Sequence, residues 1–216
     1  MIRPVTLVKP VLFVAALVPV GLLANGLVNG NLGVNPAETL QVETGIWALR
    51  FLFASLAITP LRRLFGWNRL VQYRRMLGLF AFFYASLHLL TYIVLDRYFD
   101  LSGIVEDIAE RPFITFGMLA FALMIPLALT STKGWIRRLG RKWQLLHRLV
   151  YFSAIAASLH FVWKVKVSIG EPVYYAAILA VLLGFRVVWR FRPAAASKRG
   201  RPAVPSRQVT TPGNHG

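Results

Sequence analysis

The stretch MLGLFAFFYASLHLLTYIVL, residues 76–95, decides the fold. It holds no Asp, Glu, Lys or Arg, and its one imidazole is His88. At about 1.5 Å per residue a helix of that length covers about 30 Å, the thickness of a bilayer's hydrocarbon core. Five further apolar runs accompany it, near residues 11–28, 45–61, 113–131, 147–165 and 173–189. The expected architecture is an all-α membrane protein, a six-helix transmembrane bundle. Pro19 and Pro126 fall inside runs, where neighbouring helices can satisfy the backbone groups that a proline frees. The 216-residue chain is 56% hydrophobic, more than a soluble domain of this size usually carries.

The connections carry the orientation. Segment 29–44 holds Glu38 and Glu43 and no Lys or Arg, and segment 96–112 holds Asp96, Asp100, Glu106, Asp107 and Glu110 against Arg97 and Arg111. Segment 62–75 holds Arg62, Arg63, Arg69, Arg74 and Arg75, and segment 132–146 holds Lys133, Arg137, Arg138, Arg141 and Lys142, with no acid in either. Acids and bases therefore alternate from one connection to the next. An odd number of spans would break that alternation. The positive-inside rule places both termini in the cytoplasm. The net charge of +17 is then a topology signal, with anionic membrane lipid as a partner, and nucleic acid is excluded as one.

Residues 1–192 read as one membrane domain and residues 193–216 as a disordered basic cytoplasmic tail. The first run resembles a signal peptide in its basic start, but it is longer than an h-region and lacks a small-x-small cleavage site, so it reads as a span. No internal repeat stands out. No G-x-G-x-x-G or Walker motif is present, so a nucleotide-binding domain is not expected in this chain. There is no cysteine, which excludes thiolate-held zinc and cysteine-held iron–sulfur clusters and leaves histidine as the best transition-metal ligand.

Four histidines can be weighed singly: His88, His147, His160 and the tail residue His215. The runs bearing His88 and His160 cross in the same direction. His88 lies about 18 Å beyond Met76 and His160 about 20 Å beyond His147, so the two sit at similar depth in the outer half of the membrane. A lone membrane histidine usually serves a helix–helix hydrogen bond worth about 0.6–2 kcal/mol. Two imidazoles at one level on adjacent helices can instead ligate a haem iron from both sides. Arg50 also falls in the outer half, where it either snorkels to the interface or pairs with a haem propionate. Arg74, Arg75, His147 and Arg148 gather near the basic side, as positive-inside anchors or as a site for an anionic or quinoid group, with His147 a further candidate metal ligand. No residue suggests itself as catalytic.

The placement of His88 on span three with His147 and His160 on span five resembles the ferric-reductase-like transmembrane superfamily. In that superfamily these spans each typically carry two histidines about four turns apart, holding two stacked haems. Here span five keeps the pair, while span three has Arg74 or Arg75 in place of its inner histidine, so one complete bis-histidine site is expected. Five stretches carry a closer likeness: Tyr73-Arg-Arg-Met-Leu-Gly-Leu, Tyr84-Ala-Ser-Leu-His-Leu-Leu-Thr-Tyr, Arg111-Pro-Phe-Ile-Thr-Phe-Gly, Pro126-Leu-Ala-Leu-Thr-Ser and Trp143-Gln-Leu-Leu-His-Arg-Leu-Val-Tyr. Over roughly residues 8–190 the chain resembles the haem-binding membrane subunits of the bacterial periplasmic methionine sulfoxide reductase system, the MsrQ (YedZ) family.

That resemblance implies a b-type cytochrome that takes electrons from the quinone pool, with bound FMN as an optional carrier. It passes them through haem b to a separate periplasmic catalytic subunit containing molybdopterin, with which it forms a heterodimer. Sulfoxide repair consumes reductant for each methionine restored. The alternatives are a ferric reductase or b561-like electron carrier, and a haem-free transporter or assembly protein. The missing inner histidine weighs against the former. The absence of acids inside the spans weighs against proton-coupled transport.

Overall fold

The computed structural model describes residues 4–164 and 170–191. The tail expected at residues 193–216, and His215 within it, lie outside the described residues. Among the described residues nine α-helices, one 3₁₀ segment and one π-helical turn follow one another, with no strand. Helix α1 is Pro4–Val28 and α2 is Pro36–Phe65. A 3₁₀ segment, Asn68–Tyr73, leads into α3, Arg74–Thr91, which runs on into a π-helical turn, Tyr92–Asp96. Then come α4, Leu101–Glu110, and α5, Pro112–Leu129. Two short helices, α6 (Lys133–Leu139) and α7 (Arg141–Leu146), precede α8, Leu149–Lys164, and α9, Gly170–Phe191, closes the bundle. Six helical segments are long and apolar enough to cross a membrane.

Local sequence explains most helix ends. Pro36 starts α2 where its missing N–H costs nothing, and the Asn35 side chain accepts from the Glu38 N–H at 3.2 Å. The helix therefore begins well before the apolar run at residue 45, and the connection expected at 29–44 is half helix. Gly66 ends α2 at φ +70°, a conformation open to glycine at little cost. Asp100 caps α4 through the Gly103 N–H, and Thr132 caps α6 through the Trp135 N–H. His147 sits just past the end of α7, in the break before α8, and not inside a continuous fifth helix.

Helix α2 is the central element. Its Leu49, Leu52, Phe53 and Leu56 pack against Ala81 of α3, Met124 of α5, Ala154 of α8, and Leu179 and Leu182 of α9. Alanines at the closest points let the helices approach, as membrane packing favours. Large apolar side chains such as Val11, Leu22, Phe152 and Val181 face outward, as lipid contact requires. Helix α1 is tied on differently. The fully buried Tyr84 hydroxyl donates to the Ala16 carbonyl at 2.8 Å and accepts from the Val20 N–H at 3.2 Å. Those are the two ends of one helical hydrogen bond, so the phenol is inserted into the ladder beside Pro19.

On the acidic side, the Tyr92 hydroxyl donates to Asp107 Oδ2 at 2.6 Å. Arg97 pairs with that same oxygen, and Arg111 Nε lies 3.1 Å from Oδ1. This pins α4 across the end of α3. Burial pushes the Asp107 carboxyl up, but the hydrogen bonds from Tyr92 and Arg97 and the charges of Arg111 and Arg97 outweigh it and hold the group below the usual carboxylate range.

Candidate functional site

His88 projects from the last turn of α3 and His160 from the last turns of α8. Their ring centres are 5.9 Å apart, with planes at 76°. Each ring is held from behind in the same way. His88 Nδ1 lies 2.8 Å from the Gln41 carbonyl of α2, and His160 Nδ1 lies 2.6 Å from the Phe113 carbonyl of α5. A carbonyl only accepts, so each Nδ1 carries the proton and donates it. Each Nε2 is thereby left with a free lone pair, the arrangement usual for a metal-ligating histidine.

Glycine makes these approaches possible. A Cβ on Gly45, one turn after Gln41, would stand 3.0 Å from His88 Nδ1 and Cε1. A Cβ on Gly117, one turn after Phe113, would stand 2.8 Å from His160 Nδ1. The two halves of the site are copies of one device: a carbonyl 47 residues before its histidine, a glycine one turn later, and the string Ala-Ser-Leu-His at residues 85–88 and 157–160. The internal repeat that had not stood out in the sequence is therefore present around the site. The structural correspondence marks it, because most other positions of the two copies have diverged.

The spacing fits one metal atom between two imidazoles. Two metal–nitrogen bonds of about 2.0–2.1 Å each, plus roughly 1 Å from each nitrogen to its ring centre, amount to about 6 Å. No group of three or more His, Cys, Asp or Glu side chains converges among the described residues, so these residues form no cage that could hold an ion without a further ligand set. A planar macrocycle carrying its own four nitrogens meets that requirement, with one imidazole on each face. The π-helical turn directly after α3 is of a kind often found beside functional sites.

The other sequence-derived candidates distribute as follows. Arg50, on α2 five residues after Gly45, donates from Nε to the Tyr175 hydroxyl at 2.9 Å and lies 4.7 Å from the Trp47 ring centre. Its two terminal nitrogens meet no protein acceptor among the described residues. His147 stacks on Trp143 at 3.8 Å, and its Nδ1 lies 3.1 Å from the Trp143 carbonyl. Arg74 is within electrostatic reach of His147. Arg75 is exposed and faces away, lining a groove of about 530 Å³ between α1 and α3 with Lys9, Phe13 and Gln72. The basic-side cluster is thus two separate groupings.

Sequence reasoning missed the two glycines and their carbonyls. A glycine inside an apolar helix costs about 1 kcal/mol relative to alanine, which was the available signal that something must approach there. It also missed Arg186, a charge within the sixth span.

The site and bundle define a class: a six-span membrane protein with paired histidines facing one another from its third and fifth spans. Residues 44–158 match the family described as ferric reductase like transmembrane component. A protein of Herminiimonas arsenicoxydans is 50% identical over 190 residues, 87% of each chain. One of Azospira oryzae is 51% identical over 192 residues, 88% of this chain and 82% of its own. One of Rhodospirillum rubrum is 49% identical over 188 residues, 87% and 88% of the respective chains. All three are named protein-methionine-sulfoxide reductase heme-binding subunit MsrQ. No solved structure matches the chain. The chain belongs to the ferric-reductase-like transmembrane family and, within it, to the MsrQ family, multi-pass proteins of the bacterial inner membrane.

Proposed function

We propose that this chain is the haem-carrying, electron-delivering subunit of a methionine sulfoxide reductase system. The observation that carries the reading is the facing pair His88 and His160, 5.9 Å apart, each with Nδ1 donated to a backbone carbonyl. The names of the relatives agree with it.

Haem b, when bound, supplies one-electron reduction and oxidation. The chain's residues do the rest. His88 and His160 would hold the iron through Nε2, and the Gln41 and Phe113 carbonyls fix their tautomer and ring orientation and raise their basicity. Gly45 and Gly117 leave room for the rings. Arg50, its terminal nitrogens without an acceptor among the described residues, is available to pair with a propionate. His147 and Arg74 are held in reserve at the basic end, as ligands or contacts for a second group, FMN among them. Electrons enter from quinone on the basic, cytoplasmic side, where both termini lie. They leave on the acidic side to a periplasmic molybdopterin-containing catalytic subunit, so sulfoxide chemistry is not performed by this chain.

The test is the pair of oxidised and dithionite-reduced optical spectra of purified protein, with His88→Ala and His160→Ala beside the wild type. A sharp low-spin b-type spectrum that disappears in both variants is expected. A folded wild-type protein that stays colourless after expression with ample haem would overturn the reading.

A further inference from the structure

Arg186 lies in α9, five residues before its end at Phe191, or about 7.5 Å along the axis. A guanidinium at that depth could reach the interface along its own helix. It turns inward instead. It donates to the Leu182 carbonyl at 2.9 Å and to the Leu56 carbonyl of α2, and it sits 5.3 Å from the ring centre of Tyr151 on α8. Its Nε is buried with no hydrogen-bond partner. The groups within electrostatic reach of it include Arg74, at the start of α3, and Arg63, near the end of α2. Arg63 in turn lies 5.5 Å from the ring centre of Trp189 on α9.

Arg186, turned into the bundle, therefore has like charges from two other helices within electrostatic reach. A guanidinium does not discharge itself by losing a proton. A buried cation persists when it is paired. No acidic side chain lies at this end: Glu38, Glu43, Asp96, Asp100, Glu106, Asp107, Glu110 and Glu171 are each in or beside a connection on the other side of the bundle. Both ion pairs among the described residues are also there. The described residues therefore leave the place of an anion open at this end.

We propose that Arg186, Arg74 and Arg63 form a phosphate site that takes the headgroup of an anionic phospholipid from the leaflet at the basic end. Guanidinium forks match phosphate oxygens bidentately, and three of them suit a group with several acceptor oxygens. Leu64, Phe65, Val187, Val188 and Phe191, exposed at the adjoining ends of α2 and α9, supply apolar surface along which acyl chains can lie. Basic pockets between spans take such headgroups. The site stands apart from the facing histidines, near the opposite end of α3, and does not rest on the haem reading.

The experiment is native mass spectrometry of the full chain exchanged into neutral phosphatidylcholine and titrated with phosphatidylglycerol. Wild type is compared with Arg186→Gln, Arg74→Gln and the surface control Arg137→Gln. The phosphatidylglycerol adduct is expected to weaken about tenfold or more in the first two variants and to stay within about twofold in the control. A phosphate adduct formed from millimolar inorganic phosphate in phosphatidylcholine alone, lost in the same two variants, keeps the site and makes its occupant a free phosphate. Should Arg186→Gln fail to fold, the exposed Arg63→Gln carries the same comparison. Equal adducts in all variants would overturn the proposal.

Discussion

Gly117→Ala should damage the site from behind, with both histidines left in the sequence. The new Cβ would lie 2.8 Å from His160 Nδ1, 3.1 Å from Cε1 and 3.3 Å from Cγ. Unstrained contact needs about 3.5 Å, so the ring must withdraw by about 0.7 Å, or α5 and α8 must part by as much. Withdrawal lengthens the 2.6 Å hydrogen bond to the Phe113 carbonyl and shifts the ring relative to His88. Overpacking of this kind costs about 1–3 kcal/mol. Charged against haem binding, that weakens affinity by about 5- to 150-fold. Gly45→Ala meets His88 at 3.0 Å, a milder approach, and should fall nearer the lower figure. Gly184→Ala is the control: it is a helical glycine with nothing within 4 Å, where alanine should be neutral or stabilising by up to about 1 kcal/mol. The assay is haem content per chain and the reduced spectrum after purification, with apoprotein titrated by haemin. If Gly117→Ala and Gly45→Ala retain haem as well as Gly184→Ala does, the glycines do not serve the histidines and the reasoning fails.

Asp107→Asn should loosen α4 by about 1–2 kcal/mol at neutral pH. This is less than for a fully enclosed pair, because Arg97 and Arg111 both reach solvent. Faster hydrogen exchange across residues 101–110 would report it, and unchanged exchange would count against the corner as a clamp. Because the folded Asp107 carboxyl lies below its unfolded value, its contribution is present above about pH 4 and is lost as pH falls through the folded value. Protection of the same segment in wild type, measured against the intrinsic exchange rate at each pH, should therefore fall only in acid, and that fall should be absent in Asp107→Asn. Tyr84→Phe should remove the bridge between α3 and the Ala16–Val20 turn of α1, at about 1 kcal/mol. Proteolysis should then reach α1 sooner while the haem spectrum is unchanged; a spectral change instead would mean that α1 helps position His88.

Six spans, their charge alternation and the candidacy of His88 and His160 could be read directly from residues 8–191. Hydropathy and charge act locally: a run of apolar residues crosses a bilayer whatever its neighbours do, and an arginine in a connection reports its side without reference to contacts. Matched depth on two helices running the same way follows from the helical rise alone. What the sequence could not decide was which backbone lies behind each histidine. The Gln41 and Phe113 carbonyls are main-chain atoms that every residue possesses, so no residue type marks them, and only the packing of α2 on α3 and of α5 on α8 selects them. The same holds for the basic end. Arg74 and Arg75 are neighbours in sequence, yet one full helical step of about 100° sends Arg74 toward His147 and Arg186 and Arg75 into the groove beside α1. Arg186 was visible as a charge within a span, but its lack of a counter-ion is a property of three helices brought together. Composition and periodicity determine that the chain spans a membrane and which side chains can bind metal. The distances that turn two histidines into a site arise from helix packing, which the one-dimensional pattern does not specify.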